Sequence, residues 1–117
     1  MDNYSQSLND VFFALGDPTR RAIVRSLIDG ASAVSELAAP FSMALPSFMK
    51  HLLILERAGL IRSTKTGRTR TCRLEQGALD DAEHWLTEQR RMWEARADRA
   101  AAYVEPLHQR KRNQGYE

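Results

Sequence analysis

The apolar residues of this chain recur at helical spacing along most of its length. A first stripe lies on one face of a predicted helix that ends at Gly16, and it comprises Leu8, Val11, Phe12 and Leu15. Asp17 and Pro18 have the residue types preferred at an N-cap and at the first helical position. A second helix is therefore expected from Pro18 to about Gly30.

Two further helices are predicted, with a turn between them. A short third helix is expected over residues 34–39, where Pro40 ends it. The fourth helix is expected to begin near Ala44, because Pro46 suits a first turn, and to end at Gly59. Its buried stripe is predicted to consist of Phe48, Leu52, Leu55 and Ala58.

A hairpin and a long helix follow. Residues 60–66 and 69–74 are rich in Thr, Ile and Arg and flank Gly67-Arg68, which predicts two antiparallel strands with a tight turn. The last helix is expected over residues 79–105, before Pro106.

The chain of 117 residues is predicted to form one domain over residues 1–105 and a basic, frayed tail over residues 106–117. The predicted fold class is mainly α with a small β-hairpin, with about five helices and a two-stranded wing. This order of helix, turn, helix and hairpin is typical of a winged helix-turn-helix. The fourth helix then occupies the place of the helix that enters the major groove of DNA.

Positive charge is concentrated on the predicted hairpin. The net formal charge of the chain is only +2, but residues 61–74 contain five basic side chains and no acidic one. These are Arg62, Lys65, Arg68, Arg70 and Arg73. Such a block is typical of a surface that faces phosphate groups, and a merely soluble hairpin is the alternative interpretation.

The composition argues against several other functions. No apolar run approaches the about 20 residues of a membrane span, and the N-terminus lacks the pattern of a secretory signal, so we expect a cytoplasmic protein without membrane contact. The sequence has no glycine-rich phosphate loop, paired-carboxylate motif or supported nucleophile. We therefore predict neither catalytic residues nor a cofactor.

Several separated motifs resemble those of the arsenic-repressor-like (ArsR) family of winged-helix regulators, in the branch without metal-binding cysteines. They are FALGDPTRRAIVRSL at 13–27, VSELAAPFSMALPSFMKHLLILERAGLI at 34–61, GRTRTCRL at 67–74 and WLTEQRRMWEARAD at 85–98. The resemblance implies a homodimeric transcriptional regulator, in most cases a repressor, that binds a double-stranded DNA operator of palindromic sequence. No residue cluster indicates a small-molecule inducer.

Two elements are expected to contact DNA. The fourth helix would face the major groove through Ala44, Leu45, Pro46, Ser47, Met49, Lys50 and His51. The wing would contact DNA through Arg62, Lys65, Arg68 and Arg70. Arg68, at the tip, would enter a minor groove, while Lys65 and Arg70 meet phosphates.

The predicted recognition helix departs from the resembled family. Relatives commonly have Ser-Gln at the positions of Ala44 and Leu45 and Ser at that of Met49, so three polar candidates for base contact are apolar here. Ser47 and Lys50 remain as polar contacts. Leu45 and Met49 either touch thymine methyl groups or pack against the domain.

Histidine and cysteine positions do not predict a metal site. Resembled metal sensors need cysteines in the third helix, where VSELAA has none, or more ligands on the last helix than His84 and Glu88 supply. His51 either supports the fourth helix or contacts a phosphate. Cys72 is the single cysteine, and it is either an inert buried thiol or, if the neighbouring Arg70 and Arg73 lower its pKa, the basis of a redox-responsive regulator, which stays an alternative.

The last helix carries the predicted dimer contact. Its apolar stripe spans more than six turns, which is more than one small domain can cover. Together with the first helix it predicts an interface of Leu8, Val11, Phe12, Leu15, Leu86, Trp93, Ala97, Ala100 and Val104. The alternatives are that Trp85 and Trp93 close the core of a single chain, and that the domain binds another protein through Leu45 and Met49.

Overall fold

A computed structural model describes residues 3–103 of the chain. Within that range, five helices and three strands follow in the order α1 Asn3–Leu15, α2 Pro18–Ser26, β1 Ser32–Ala33, α3 Val34–Ala38, α4 Leu45–Arg57, β2 Ile61–Thr66, β3 Thr69–Leu74 and α5 Gln76–Tyr103. The predicted winged helix-turn-helix with about five helices is confirmed. The chain divides into two compact units between Ala82 and Glu83. The predicted tail of residues 106–117 and the predicted contact residue Val104 lie outside the described residues.

The hydrophobic core of the first unit draws on α1, α2, α4 and the sheet. Its most deeply buried large side chains include Val11, Ile23, Phe48, Leu55 and Leu60. In α4, the predicted stripe is buried as expected. Truncating a buried phenylalanine such as Phe48 to Ala typically lowers the free energy of unfolding by about 3–5 kcal/mol. The core therefore fixes α4 by one face and leaves the other face to solvent.

The sheet has one strand more than predicted. β1 pairs antiparallel with β3, Ser32 opposite Cys72, while β3 pairs with β2 on its other side. Two residues are too short to show the alternation of a strand, so the sequence pattern carries no signal for β1. The added strand makes β3 central and places Cys72 between Ser32 and Ser63.

Two glycines with positive φ set the ends of α4 and the wing. Gly59 follows the last turn of α4 with φ +78°. Gly67 has φ +64° at the first position of the two-residue loop between Thr66 and Thr69, which is the requirement of a type II′ hairpin turn. Both positions confirm the predicted boundaries. None of the helices in the described range is long and apolar enough to cross a membrane.

Helix α5 begins at Gln76, three residues before the predicted start at Leu79. The prediction followed the apolar stripe, and Gly77 is a poor helix former in isolation. Leu79 and Ala82 nevertheless pack on the core of the first unit, which holds this first turn in helical conformation.

Candidate nucleic-acid interface

The helix pair α3 and α4 is held together through the turn between them. Phe41, in this turn, packs on Phe48 of α4 with ring centroids 5.4 Å apart and planes tilted by 42°. Leu37 is buried from the α3 side. Ala44 is the N-cap of α4 in extended conformation, and no side-chain oxygen caps the helix. The first N–H groups of α4 are thus left to water or to an anion such as a phosphate.

The outward face of α4 carries both apolar and polar side chains. Leu45 is 57% exposed and Met49 is 36% exposed, so neither is packed in the core. Ser47 and Lys50 are exposed beside them. Among residues 3–103, no carboxylate lies within ion-pair distance of Lys50. Its charge is therefore available to a ligand.

A buried arginine joins α1, α2 and α4. Arg20 is only 8% exposed, and its Nε and Nη2 atoms donate to the carbonyl oxygens of Ala14 (2.7 Å) and Phe13 (3.1 Å) at the end of α1. Its Nη1 atom lies 3.1 Å from Nδ1 of His51 on α4. Arginine only donates, so Nδ1 is the acceptor in this contact. The half-buried His51 thus supports the position of α4 rather than extending into solvent.

Asp17 completes this junction. Its Oδ2 atom accepts a hydrogen bond from the backbone N–H of Arg20 at 3.1 Å, which caps α2 as predicted. That bond, opposed by burial and aided by the charge of Arg20, lowers the pKa of Asp17. The stability that the carboxylate adds is present above its ordinary pKa and is lost as pH falls through the lowered value. The cap is therefore intact at neutral pH.

Sequence reasoning missed the role of Arg20. Charged side chains are rarely buried unless they are paired, and periodicity places Arg20 among the polar positions of α2. The available signal was its place three residues after the N-cap Asp17, where a long donor reaches back to the last carbonyls of the preceding helix. Arg21 makes a similar but exposed bond, from Nη1 to the carbonyl oxygen of Leu15 at 2.7 Å.

One face of the wing adjoins α4. Lys65 and Arg70 are directly opposite in the register, on the same side as buried Cys72 but beyond the core. The Nη1 atom of Arg70 donates to Oγ of Ser63 at 3.0 Å, and that hydroxyl donates to the Glu56 carboxylate of α4, 3.1 Å from Oε2. This chain of hydrogen bonds ties the wing to α4.

The other face of the wing has its charge partly balanced. Arg62 and Arg73 are cross-strand partners, and their Nε atoms lie 3.6 Å and 3.2 Å from Oε2 of Glu75. By contrast, Lys65 and Arg68 have no carboxylate within ion-pair distance in the described part of the chain. Uncompensated positive charge is therefore found at the tip and on the side of α4.

Cys72 does not have the properties of a reactive thiol. It is 1% exposed, and burial raises the pKa of its thiol, with Glu56 adding to the effect and Arg70 opposing it. Neighbouring arginines do not lower this pKa, because desolvation outweighs them, and the inert buried thiol is the interpretation that agrees with the burial of Cys72. The redox alternative thereby loses its physical basis. Among the described residues, no three His, Cys, Asp or Glu side chains come together as a possible metal site.

The first unit covers most, but not all, of the α1 face predicted for dimer contact. Leu8 and Val11 are buried in the core of the unit, at 8% and 1% exposed, and Leu15 is half-buried. Phe12 and Phe13 are 39% and 65% exposed. Among the α1 residues whose burial is described, the exposed aromatic side chains are Phe12, which was predicted, and Phe13, which was not.

The second unit presents an apolar surface on α5. Trp93 is 76% exposed, Met92 62% and Leu86 51%. Ala97 is half-buried and Ala100 is exposed. Trp93, Ala97 and Ala100 line one open groove on this helix. These predicted contact residues thus share a surface of α5 that is open in the single chain.

This fold and charged surface correspond to one class of protein, the winged helix-turn-helix domains that bind DNA. Residues 15–64 match a family described as a helix-turn-helix domain. Among curated proteins, the chain is 34% identical over 79 residues to the transcriptional repressor SdpR of Bacillus subtilis (strain 168), covering 68% of this chain and 88% of SdpR. It is 39% identical over 66 residues to the HTH-type transcriptional regulator Rv2034 of Mycobacterium tuberculosis, covering 56% of this chain and 62% of Rv2034.

Solved structures agree with this class. A crystal structure of an ArsR family transcriptional regulator is 53% identical, with a TM-score of 0.75 over 80% of this chain and 97% of that one. An ArsR-like transcriptional regulator from Rhodococcus sp. RHA1 is 28% identical, with a TM-score of 0.78 over 90% and 99% of the two chains. The protein belongs to the ArsR family of transcriptional regulators, as its motifs had indicated.

Proposed function

We propose that the protein is a homodimeric repressor that binds a palindromic DNA operator and does not respond to metal ions. The observation that carries the proposal is the pairing of an exposed α4 face with a wing whose uncompensated charge lies on the same side. The hydrogen-bonded chain from Arg70 through Ser63 to Glu56 fixes that arrangement. The family and the similarity to a transcriptional repressor support repression rather than activation.

In this proposal α4 enters the major groove with its uncapped N-terminal turn toward the phosphates. Ser47 and Lys50 are the polar contacts to base edges, and the backbone at Ala44 and Pro46 allows close approach. His51 does not contact DNA directly but holds α4 through Arg20. This division separates side chains that bind DNA from one that positions the helix.

The wing contributes phosphate contacts and a minor-groove contact. Arg68 at the tip enters the minor groove, and Lys65 and Arg70 bind flanking phosphates. Arg62 adds less, because Glu75 already balances its charge on the opposite face of the wing.

Dimerisation is supported by the apolar surfaces that each unit leaves open. Trp and Met are enriched at protein interfaces, and Trp93 and Met92 are mostly exposed on α5. Phe12 and Phe13 provide a second aromatic surface on α1. A two-fold axis through such contacts would set two recognition helices about 34 Å apart, which matches successive major grooves of B-DNA.

A selection of bound sequences from random duplexes, followed by fluorescence anisotropy with the selected operator, tests the proposal. We expect a palindromic consensus and, for about five to eight phosphate contacts per dimer, a slope of log affinity against log salt of roughly −5 to −7. Chelators should leave binding unchanged. Recovery of no consensus, together with binding that salt does not weaken, would contradict the proposal.

The exposed Leu45 and Met49 favour one alternative, a module that binds another protein through α4. Heparin competition distinguishes the two functions. Heparin displaces a protein that binds DNA phosphates, whereas an apolar protein interface is insensitive to this polyanion. Loss of operator binding in heparin supports the DNA-binding function.

A further inference from the structure

Three apolar side chains form a row along the exposed face of α4. Leu45, Met49 and Leu53 are 57%, 36% and 46% exposed, and they follow one another at intervals of four residues. That interval keeps side chains on one face of a helix, one turn apart. The row is separate from the buried stripe that holds α4 in the core, so packing within the protein does not account for it.

The surroundings of the row indicate a polyanion rather than an apolar protein. Ser47 and Lys50 are exposed next to its first two members. Arg70 shares a groove with Met49 and Leu53, and the carboxylate of Glu56 in that groove already accepts a hydrogen bond from Ser63. The cores of protein interfaces are depleted of lysine, whereas surfaces that bind DNA are rich in positive charge. An apolar row with a basic border fits the major groove of a duplex.

In the major groove, only one base presents an apolar group to such a row. Thymine carries a C5-methyl group, while the other bases present donors and acceptors only. Leucine has no hydrogen-bonding group and methionine only a weak acceptor, so a cytosine amino group facing them would be left unpaired. We propose that Leu45 and Met49 determine operator specificity by contacting the methyl groups of two thymines in each half-site.

The geometry of α4 sets the spacing of these thymines. Four residues of helix rise by about 6 Å, and successive bases stack about 3.4 Å apart. The two thymines should therefore lie about two base steps apart, on the same or on opposite strands. This inference rests on the proposed DNA-binding function and adds the bases that the operator must contain.

Replacing single thymines of the selected operator by uracil tests the inference, because uracil keeps the base pair and O4 and lacks only the methyl group. For the wild-type protein, we expect about four-fold weaker binding for each contacted methyl group removed, at two positions of a half-site. Leu45→Ala should abolish the effect at one of these positions, and Met49→Ala at the other. Leu53→Ala, the same truncation one turn further along the row, is the matched control and should retain both effects.

The outcomes distinguish this inference from the proposed function. If the wild-type protein binds uracil and thymine operators equally tightly at every position, the methyl contacts are refuted while operator binding stands. If uracil weakens binding equally in wild type and in both Ala variants, another residue contacts the methyl groups and the assignment is overturned. If no operator can be selected, the proposed function itself fails. Both side chains are exposed, so unchanged melting curves will show that the variants fold.

Discussion

Replacing Trp93 by glutamate should convert the proposed homodimer into a folded monomer. A tryptophan side chain buries about 150–250 Å² in a contact. With 76% of Trp93 exposed in the single chain, about 110–190 Å² remains for a partner, or about 3–5 kcal/mol at about 25 cal/mol per Å². The cost of ordering groups at an interface reduces this gain, and about 2 kcal/mol is a common value for an interface tryptophan. Because a two-fold interface contains Trp93 from both chains, the substitution should cost about 4 kcal/mol in total, and the Kd of the dimer should rise about 1,000-fold.

Sedimentation velocity at micromolar concentration measures this change, with circular dichroism as a check on folding. The new carboxylate is exposed in the monomer, so the helix content and melting temperature of the monomer should change little. Thr87→Glu places the same charge at another exposed position of α5 and serves as the control. A Trp93→Glu protein that sediments as a dimer, or a wild type that is monomeric, would refute the proposed interface.

Other substitutions test the remaining parts of the surface. Arg68→Glu should weaken DNA binding more than ten-fold at about 0.1 M salt. Arg62→Glu should weaken it less, because Glu75 already balances the charge of Arg62. Equal losses of affinity in fluorescence anisotropy would show that the tip contributes no more than the rest of the wing. Lys50→Ala should cost about 1–3 kcal/mol on the operator if Lys50 contacts guanine; an equal loss on random duplexes would show that it meets phosphate only. Arg20→Met should lower the free energy of unfolding in urea by about 2–4 kcal/mol, since it leaves the carbonyl group of Ala14 without its side-chain donor and removes one of the two donors to that of Phe13. Arg21→Met, at an exposed position, should cost less than about 1 kcal/mol. Similar values for both would show that the buried network adds little.

The elements predicted well were those in which local signals agree with burial. In α2 the N-cap Asp17 and Pro18 mark the start, and in α4 the stripe around Phe48 is the face that the core covers. The wing was predicted correctly because a glycine turn lies between two runs of strand-forming residues. In these segments, capping, periodicity and turn chemistry each specify the same conformation.

The features that sequence reasoning missed depend on partners distant in the chain. β1 exists because β3, which is far along the sequence, offers it a strand edge and places Cys72 opposite Ser32. Arg20 lies 5.2 Å from the centroid of the Phe13 ring and binds the carbonyl group of the same residue, a contact that no periodic pattern specifies. For Leu8 the hydrophobic pattern was correct, but a stripe does not say whether its own chain or a partner covers it.

The wing has an energetic consequence for the unbound protein. Lys65 and Arg70 are directly opposite each other on paired strands, and like charges in such positions destabilise an antiparallel pair. Dissolved salt relieves this repulsion in the free protein, since the screening length is about 8 Å at physiological ionic strength. Salt also reduces the gain from releasing counterions when DNA binds. Rising ionic strength therefore stabilises the free wing while it weakens the complex, and thermal stability and operator affinity should change with salt in opposite senses.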